Sequence, residues 1–310
     1  MLVDVMVPAY GDGALLRETV RSVIAQSDGH WRLTVIDDRA DPCGTAELGN
    51  WLASLQDDRV RLLTNPVRLG INRNFQRCLD ESSAEFVQLL GADDRLLPDS
   101  VERVRRAATR HPDVAFIHTG ASIIDADGRA VKPLVDRIKR AVSIRTAVDS
   151  VHGGEELAAS LLRGNWMYFP SVVFRRDAVV PLGFRPGYDI VLDLDLYLRL
   201  LVEDRSCLLF ASPGLEYRRH AASVSSEGAG DGSRFAEEVA YFAEAESMMR
   251  SHGWPSAARA ARLHLTSRLH AIVRAVALAR ARRWGAARSF AAHAVTSAVS
   301  RRDTPREVQA

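Results

Sequence analysis

Residues 2–10 read LVDVMVPAY, and residues 33–38 read LTVIDD. Each is a short apolar run rich in β-branched residues that stops at a proline or at acids, a pattern typical of a buried strand. Similar runs occur at Val60–Leu63, Phe86–Leu90 and Val114–His118, separated by stretches with apolar residues at helical spacing. Strands that alternate with helices predict an α/β fold with a mostly parallel sheet flanked by helices.

The second half of the chain is less regular. Residues 127–154 contain several turn-forming dipeptides and are predicted to leave the sheet as a long excursion. Two further strands are predicted at Ser171–Phe174 and Leu208–Ala211, with a helix at Leu192–Val202 between them. Small polar residues dominate 221–233, which predicts a loop or linker. Everything from Phe235 onward is predicted to be helical, with interruptions around Gly253-Trp254-Pro255 and near Trp284-Gly285.

Composition excludes several classes of protein. The 310 residues are 47% hydrophobic and 26% charged, which is typical of a globular chain and excludes a disordered or fibrous one. The three cysteines, Cys43, Cys78 and Cys207, are far apart and predict neither a zinc ribbon nor a disulfide framework, so they suit a reducing compartment. The first residues do not resemble a signal peptide, and no run approaches the roughly 18 apolar residues of a membrane span.

Acids concentrate where two predicted strands end. Asp37 and Asp38 follow the second strand, and Asp93 and Asp94 follow the fourth. The carboxyl ends of parallel strands are where open α/β sheets bind ligands, and like charges gathered there repel one another unless a cation offsets them. Mg²⁺ or Mn²⁺ with a phosphate-bearing substrate fits such oxygen ligands. The alternative is that these acids are ordinary turn residues, because Asp is common after strands.

Five segments of the chain form a recognisable set. In chain order they are Val7-Pro8-Ala9-Tyr10 with the helix after it and Val35-Ile36-Asp37-Asp38; Gly70-Ile71-Asn72-Arg73-Asn74; Leu89-Leu90-Gly91-Ala92-Asp93-Asp94 with Pro98; Asp193-x-Asp195-Leu196-Tyr197-Leu198-Arg199; and Tyr217-Arg218-x-His220. Together they resemble the family 2 glycosyltransferases of GT-A fold. The resemblance covers roughly residues 1–225. It implies a Rossmann-like sheet and the transfer of a sugar from a nucleoside-diphosphate donor to an acceptor hydroxyl, with inversion at the anomeric carbon.

The resemblance also implies a role for individual residues. The nucleotide-sugar donor would be bound by Pro8, Ala9, Tyr10, Asp38, Arg73 and Asp93, with Asp37 supporting the turn. Asp94 would bind a Mg²⁺ or Mn²⁺ ion directly, and His220 is a candidate third contact to the metal or the diphosphate.

On the acceptor side, Asp193 would be the general base that takes the proton of the acceptor hydroxyl, with Asp189 as the fallback. Asp195 lies two residues further along the helix, so it faces another direction and would support the helix or the acceptor side. Trp166 could stack on an acceptor sugar or could equally be a core residue.

The sequence departs from the family pattern at two positions of this segment. Leu192 stands where the family has Glu, and Tyr197 stands where it has Trp. The missing Glu puts a supporting contact, and with it the acceptor type, in question.

The C-terminal segment is strongly basic. Residues 247–302 contain eleven arginines and no Asp or Glu, which leaves 30 basic against 39 acidic residues in the rest of the chain. Apolar residues alternate with arginine at helical spacing from Ser256 onward and predict two amphipathic helices. These helices could pack on the acidic body, form a homodimer contact, or lie on an anionic membrane surface. Nucleic-acid binding is disfavoured, because the sequence contains no reader motif.

We therefore predict a GT-A domain at 1–225, divided into a nucleotide-sugar-binding half (1–120) and an acceptor-side half (121–225). A linker at 226–234 and a basic helical extension at 235–310 follow. The expected partners are a nucleoside-diphosphate sugar and a glycan, lipid-linked or small-molecule acceptor, and the expected location is the cytoplasm or the inner face of the cell membrane. Two alternatives stay open: a nucleotidyltransferase, which would want a glycine-rich basic loop near the N-terminus, and a non-catalytic relative that binds nucleotide sugars.

Overall fold

A computed structural model of the chain describes residues 1–10, 13–219 and 233–280, together with 282, 284, 285 and 291. The described residues form eleven strands, eleven α-helices and a short 3-10 helix at Phe169–Ser171. The strands are β1 Val3–Ala9, β2 Trp31–Asp37, β3 Val60–Thr64, β4 Phe86–Leu89, β5 Arg95–Leu96, β6 Phe116–His118, β7 Ala121–Ile124, β8 Ser150–His152, β9 Val172–Arg175, β10 Cys207–Leu209 and β11 Leu215–Arg218. The helices are α1 Ala14–Ile24, α2 Pro42–Ser54, α3 Ile71–Glu81, α4 Ser100–Arg110, α5 Leu134–Val142, α6 Gly154–Arg163, α7 Arg176–Val179, α8 Leu192–Val202, α9 Ser233–Ser251, α10 Pro255–Leu263 and α11 Leu265–Arg280.

Eight strands form one central sheet in the order β3-β2-β1-β4-β9-β6-β10-β8. The first four are parallel, β9 runs antiparallel to both β4 and β6, and β8 runs antiparallel to β10. The sheet is therefore mostly parallel, as the sequence predicts. A second, small sheet has the order β5-β11-β7.

Alternate residues of the central strands face two separate cores, as the period of two in a strand requires. Val3, Val5 and Val7 of β1 pack against α1, α2 and α4 on one face of the sheet. Met6 of β1 faces the other way, into a cluster with α6, α8, α9 and α10. A sheet covered by helices on both faces explains why its strands are continuous apolar runs.

The first two C-terminal helices belong to the same core as the sheet. Tyr241, Phe242 and Met249 of α9, together with Ala257 and Ala261 of α10, are buried in one cluster with the apolar residues of α8. Each fully buried large side chain contributes about 1.5–3 kcal/mol to stability. The predicted boundary near residue 225 thus separates segments that share a core, and residues 226–232 of the predicted linker lie outside the described part of the chain.

Several local predictions differ from the structure. The excursion at 127–154 contains helix α5 and strand β8, and α6 follows it directly. The second sheet was not predicted. The C-terminal helices break at Gly253, whose φ is +80°, and again at His264, whose φ is +29°. The first break was predicted from Gly253-Trp254-Pro255, whereas nothing in the local sequence indicates the second.

Candidate active site

The carboxyl ends of β3, β2, β1 and β4 line one edge of the central sheet, because these strands are parallel neighbours. Backbone hydrogen bonds continue past the ends of the strands. The N–H of Asp38 donates to the carbonyl of Ala9 at 2.9 Å, and the N–H of Leu90 donates to the carbonyl of Met6 at 2.8 Å. The segments that follow β1, β2 and β4 are thereby held side by side, which brings Pro8, Ala9 and Tyr10 to the same edge as the two acid pairs.

Asp38 is buried and organises the loop after β3. Its Oδ1 accepts from the side-chain amide of Asn65 and from the backbone N–H of Leu69, both at 2.7 Å. Its Oδ2 accepts from the backbone N–H of Gly70 at 2.9 Å. A carboxylate oxygen accepts about two hydrogen bonds, so Oδ2 keeps capacity for one more donor. Asp37 is also buried, and its carboxylate is held by Arg39 and Thr45, which lowers its pKa despite burial.

Tyr10 and Arg73 are exposed beside this loop. The Tyr10 side chain is 64% exposed, and the guanidinium carbon of Arg68 lies 4.3 Å from its ring centroid. Arg73 lies in the first turn of α3, where its side chain is exposed. Both positions are therefore accessible to a ligand at the edge of the sheet.

Asp94 is the most unusual acid of the site. It is 1% exposed, and its Oδ1 accepts from the backbone N–H of Arg218 at 2.8 Å, but its Oδ2 has no hydrogen-bond partner. Burial and the neighbouring charge of Asp93 raise the pKa of Asp94 well above its usual range. An atom at the Cβ position of Gly91 would lie 2.5 Å from this Oδ2, so a larger residue there would displace the carboxylate of Asp94. An unsatisfied buried carboxylate oxygen is a costly feature unless a cation or donor binds it.

Arg218 holds the acidic turn in place. It is fully buried, and its Nε donates to the carbonyl of Asp93 at 2.8 Å, while its Nη2 lies 2.6 Å from the carboxylate of Glu18 on α1. A further nitrogen donates to the carbonyl of Ala126 at 2.9 Å. The role of Arg218 was not predicted, although it stands in the motif that ends at His220. His220 itself lies outside the described residues.

The described residues offer a divalent ion one or two carboxylates rather than a complete set of protein ligands. No group of three or more His, Cys, Asp or Glu side chains is arranged for metal binding in the part of the chain that the structure describes. Mg²⁺ and Mn²⁺ at phosphate-transfer sites commonly take only one or two carboxylates and complete their shells with water and substrate phosphates. The free Oδ2 of Asp94, next to Asp93, matches that requirement.

Asp193 lies in the first turn of α8 and is half-buried. Its Oδ2 accepts from the side-chain amide of Asn165 at 2.8 Å, and its Oδ1 accepts from the N–H of Leu194 at 2.7 Å. Burial raises the pKa of Asp193 above its usual value, and the hydrogen bond from Asn165 opposes that rise.

The segment that follows Asn165 reaches the carboxyl end of β4. Gln88 of β4 donates to the carbonyl of Pro170 at 2.8 Å, and the N–H of Thr119, which follows β6, donates to the carbonyl of Ser171 at 2.8 Å. Asn165 lies five residues before Pro170 in the chain, and its side chain connects Asp193 to this segment through one hydrogen bond.

Asp195 and Trp166 are both buried, whereas a residue that contacts the acceptor has to be accessible. Asp195 is 1% exposed and forms ion pairs with Arg185 at 2.7 Å and Arg199 at 2.8 Å. It therefore supports the helix, which is one of the two roles considered for it. Trp166 is 4% exposed, its indole N–H donates to Ser160, and its ring packs against His118. The ring fills the core and leaves no face open to an acceptor.

The two positions that depart from the family pattern are both core residues. Leu192 is 6% exposed and lies in the cluster beneath the sheet, and Tyr197 is fully buried and stacks on Phe116 with ring centroids 5.8 Å apart. Neither side chain faces the edge with the acids. Asp189, the fallback base, is exposed and accepts a 3.2 Å hydrogen bond from the N–H of Asn72.

Glu237 supports the start of α8 from the C-terminal helix α9. Its Oε1 accepts from the N–H groups of Ile190 at 2.7 Å and Val191 at 3.0 Å, and its Oε2 accepts from the N–H of Asp189 at 3.2 Å. These groups precede the first turn of the helix, which otherwise has no side-chain cap. Sequence reasoning missed Glu237, and the only available signal was the cluster of acids at 237–246, just before the acid-free segment.

The chain is similar to known proteins in sequence and in fold. Residues 4–155 match the family described as "Glycosyl transferase family 2". An uncharacterised protein of Mycobacterium tuberculosis (strain CDC 1551 / Oshkosh), MT1568, is 29% identical over 228 residues, which are 73% of this chain and 69% of that protein.

Two solved structures show the same fold. The Staphylococcus aureus TarS 1–349 structure in complex with UDP-GlcNAc has a TM-score of 0.62 at 13% identity, over 94% of this chain and 90% of that one. The mannosyltransferase PcManGT of Pyrobaculum calidifontis, in complex with GDP-Man and Mn²⁺, has a TM-score of 0.59 at 16% identity, over 94% and 86%. The family match over residues 4–155, together with the fold and the strand-end acids described above, identifies the chain as a member of the family 2 glycosyltransferases.

Proposed function

We propose that this chain is an inverting, metal-dependent glycosyltransferase in which Asp94 binds the metal and Asp193 is the general base. The observation that carries the proposal is the unpartnered, buried Oδ2 of Asp94 in the turn that follows β4, and the contact between Asn165 and Asp193 supports the choice of base. A buried carboxylate without a partner is costly to maintain, and a bound cation is the simplest compensation.

The donor would lie across the ends of β1, β2 and β4. Tyr10 offers an exposed ring to the nucleobase once Arg68 moves aside, and Oδ2 of Asp38 has room for one imide N–H. Asp93 would contact the ribose or the metal shell, and the exposed Arg73 would contribute positive charge near the diphosphate. The backbone of Pro8 and Ala9 would lie beneath the donor, consistent with their place at the end of β1.

A divalent ion on Asp94, with His220 as a further candidate ligand, would act as a Lewis acid that offsets the charge developing on the departing diphosphate. The relatives bound to nucleotide sugars, one of them with Mn²⁺, support this choice of ligands by analogy.

Asp193 would act directly on the acceptor. Its carboxylate takes the proton of the acceptor hydroxyl while that oxygen bonds to the anomeric carbon, and the bond from that carbon to the diphosphate oxygen breaks with its electron pair. A single displacement of this kind inverts the anomeric configuration. Burial suits Asp193 to the task, because a raised pKa makes its carboxylate a stronger base than an exposed one.

The two other candidate functions have less support. A nucleotidyltransferase would want a glycine-rich basic loop after β1, where Gly11-Asp12-Gly13 is short and acidic. A non-catalytic relative was suggested only by Leu192, which is a core residue. We also propose a cytoplasmic location, because activated sugars are supplied there.

A donor panel tests the proposal. Purified protein would be incubated with individual nucleoside-diphosphate sugars, with Mn²⁺, Mg²⁺ or a chelator, and the release of nucleoside diphosphate would be measured. Thermal shifts on the same panel identify the nucleotide, since a ligand that binds only the folded state raises the melting temperature. We expect one nucleotide class to give metal-dependent shifts and turnover, with product of inverted anomeric configuration. Turnover unaffected by chelation, or product with the donor's configuration, would refute the mechanism.

A further inference from the structure

Helix α11 leaves an apolar face uncovered. Leu265, Leu269, Ile272 and Val276 follow one another at intervals of three or four residues, and Val273 lies four residues after Leu269. The five residues therefore form one stripe, and their exposure lies between 44% for Leu269 and 55% for Leu265. The opposite side of the helix is buried through Ser267, Ala271 and Leu278. The helix is thus anchored by one side, while the stripe meets no other part of the described chain closely enough to be buried. We call these five residues the outer stripe.

The charged residues of the segment that contains the outer stripe have a single sign. Arg262, Arg280 and Arg282 are exposed at the two ends of α11, and Trp284 beyond it is 61% exposed. The segment from residue 247 to residue 302 contains eleven arginines and no acid. An apolar stripe bordered by arginine complements a surface that is apolar inside and anionic at its rim. Contact with the same stripe of a second copy would instead bring arginines together.

We propose that the outer stripe of α11 is a docking surface for an anionic lipid bilayer. The stripe would enter the boundary between headgroups and acyl chains, and the arginines would contact lipid phosphates. The described helices include none long and apolar enough to cross a bilayer, so this contact would lie in the plane of the interface.

The position of α11 links this surface to the acceptor side of the site. Thr266 lies against Gly164, where an added Cβ would be 2.6 Å from the Thr266 Cγ2, and Gly164 directly precedes Asn165. Asn165 in turn binds Asp193. If the proposed base is correct, an acceptor held in the same bilayer would therefore be presented near Asp193. This last step rests on the proposed function, whereas the docking surface itself does not.

The test is vesicle binding by the full chain in the absence of any donor. Vesicles of phosphatidylglycerol and phosphatidylcholine would be compared with vesicles of phosphatidylcholine alone, by co-sedimentation at low and high salt. We expect binding to the anionic vesicles that weakens with salt, and at least tenfold weaker binding to the neutral ones. The double variant Leu269→Ser/Ile272→Ser should lose at least tenfold in affinity. Val148→Ser/Val151→Ser, which also replaces two exposed apolar side chains, is the matched control and should bind as wild type.

Substitution is preferable to truncation, because removal of the C-terminal helices would also remove core residues of α9 and α10. If the stripe variant misfolds by circular dichroism, Arg280→Gln/Arg282→Gln provides an independent test and should reduce both the affinity and its salt dependence. The proposal is overturned by absence of binding to anionic vesicles at low salt, or by unchanged binding of both variants. A concentration-dependent dimer that the stripe variant converts to a monomer would assign the surface to a second copy instead.

Discussion

Glu237 on helix α9 accepts a 2.7 Å hydrogen bond from the backbone N–H of Ile190, two residues before the helix that carries Asp193. The same carboxylate accepts from the two neighbouring N–H groups. The negative charge of Glu237 also lies near the N-terminal end of α8, where it interacts favourably with the helix dipole. The C-terminal helix therefore contributes directly to the position of the proposed base, in addition to its contribution to the core.

Glu237→Ala should lower both stability and turnover. Three backbone donors lose their partner, and a hydrogen bond to a charged group makes a net contribution of about 1.5–3 kcal/mol to stability when it is well shielded from water. We expect the free energy of unfolding to fall by about 1–3 kcal/mol. We also expect kcat to fall while donor affinity changes little, because the donor site lies on other elements. Chemical denaturation and steady-state kinetics measure the two effects.

Glu246→Ala is the matched control, since Glu246 lies on the same helix and forms an i,i+4 ion pair with Arg250. Exposed i,i+4 pairs contribute only about 0.3–0.5 kcal/mol. An E237A variant with the stability and kcat of wild type would show that the contact has no positioning role.

The sequence predicts those strands whose own residues are enough to identify them, without knowledge of their neighbours in the sheet. Strands β1, β2 and β4 are buried on both faces, so they read as apolar runs and were located within two or three residues. Strand β9 was also located, but its antiparallel direction depends on its neighbours in space. The small sheet was missed because β5 and β11 contain Arg95 and Glu216, which pair with each other at 2.8 Å and break any apolar pattern.

The candidate site also contains residues that the sequence identifies and residues whose role depends on the tertiary fold. Asp38, Asp94 and Asp193 were selected by motif, and the structure gives each a specific environment. Glu237 acts on residues 46–48 positions away, and Arg218 on Glu18 across 200 positions, so their contacts depend on the tertiary fold. Trp166 illustrates the opposite error: an aromatic residue before a strand is equally compatible with the core and with a binding face.

Asp94→Asn should abolish metal-dependent donor binding without destabilising the metal-free protein. Asn removes a buried negative charge that has only one hydrogen-bonded oxygen, so the melting temperature of the metal-free variant should equal or exceed that of wild type. In wild type, Mn²⁺ together with the nucleotide should raise the melting temperature; a ligand at 100 times its Kd contributes about 2.7 kcal/mol. Scanning calorimetry with and without Mn²⁺ measures both effects.

Asp127→Asn, in an exposed turn, is the control and should retain the metal-dependent shift. Retention of that shift in D94N would exclude Asp94 as the metal ligand.

Asn165→Ala should move the acid limb of the pH–activity profile to higher pH. The base is active when ionised, so activity is present above the pKa of Asp193 and is lost as the pH falls through it. Burial already raises that pKa above the ordinary 3.8, and the amide of Asn165 opposes the rise by donating to the carboxylate. Removal of that donor should raise the pKa further. Profiles of kcat/KM against pH for the two proteins measure the shift.

The residual rate of Asp193→Asn should show no such limb, which provides the control for this assignment. If N165A and wild type have superimposable acid limbs, the group that titrates is not Asp193.

The central claim is that Asp193 removes the proton of the acceptor. Asp195→Asn offers a contrasting variant, because Asp195 pairs with Arg185 and Arg199 in the core, and breaking a buried pair costs about 3–5 kcal/mol of stability. Asp193→Asn keeps the shape of the side chain and should fold normally.

The most direct measurement is the single-turnover transfer rate of Asp193→Asn with the donor identified by the panel, alongside its calorimetric affinity for that donor. We predict a rate at least 10²-fold below wild type, as expected for the loss of a general base, together with nearly unchanged donor affinity. A wild-type transfer rate in the folded D193N protein would contradict the account.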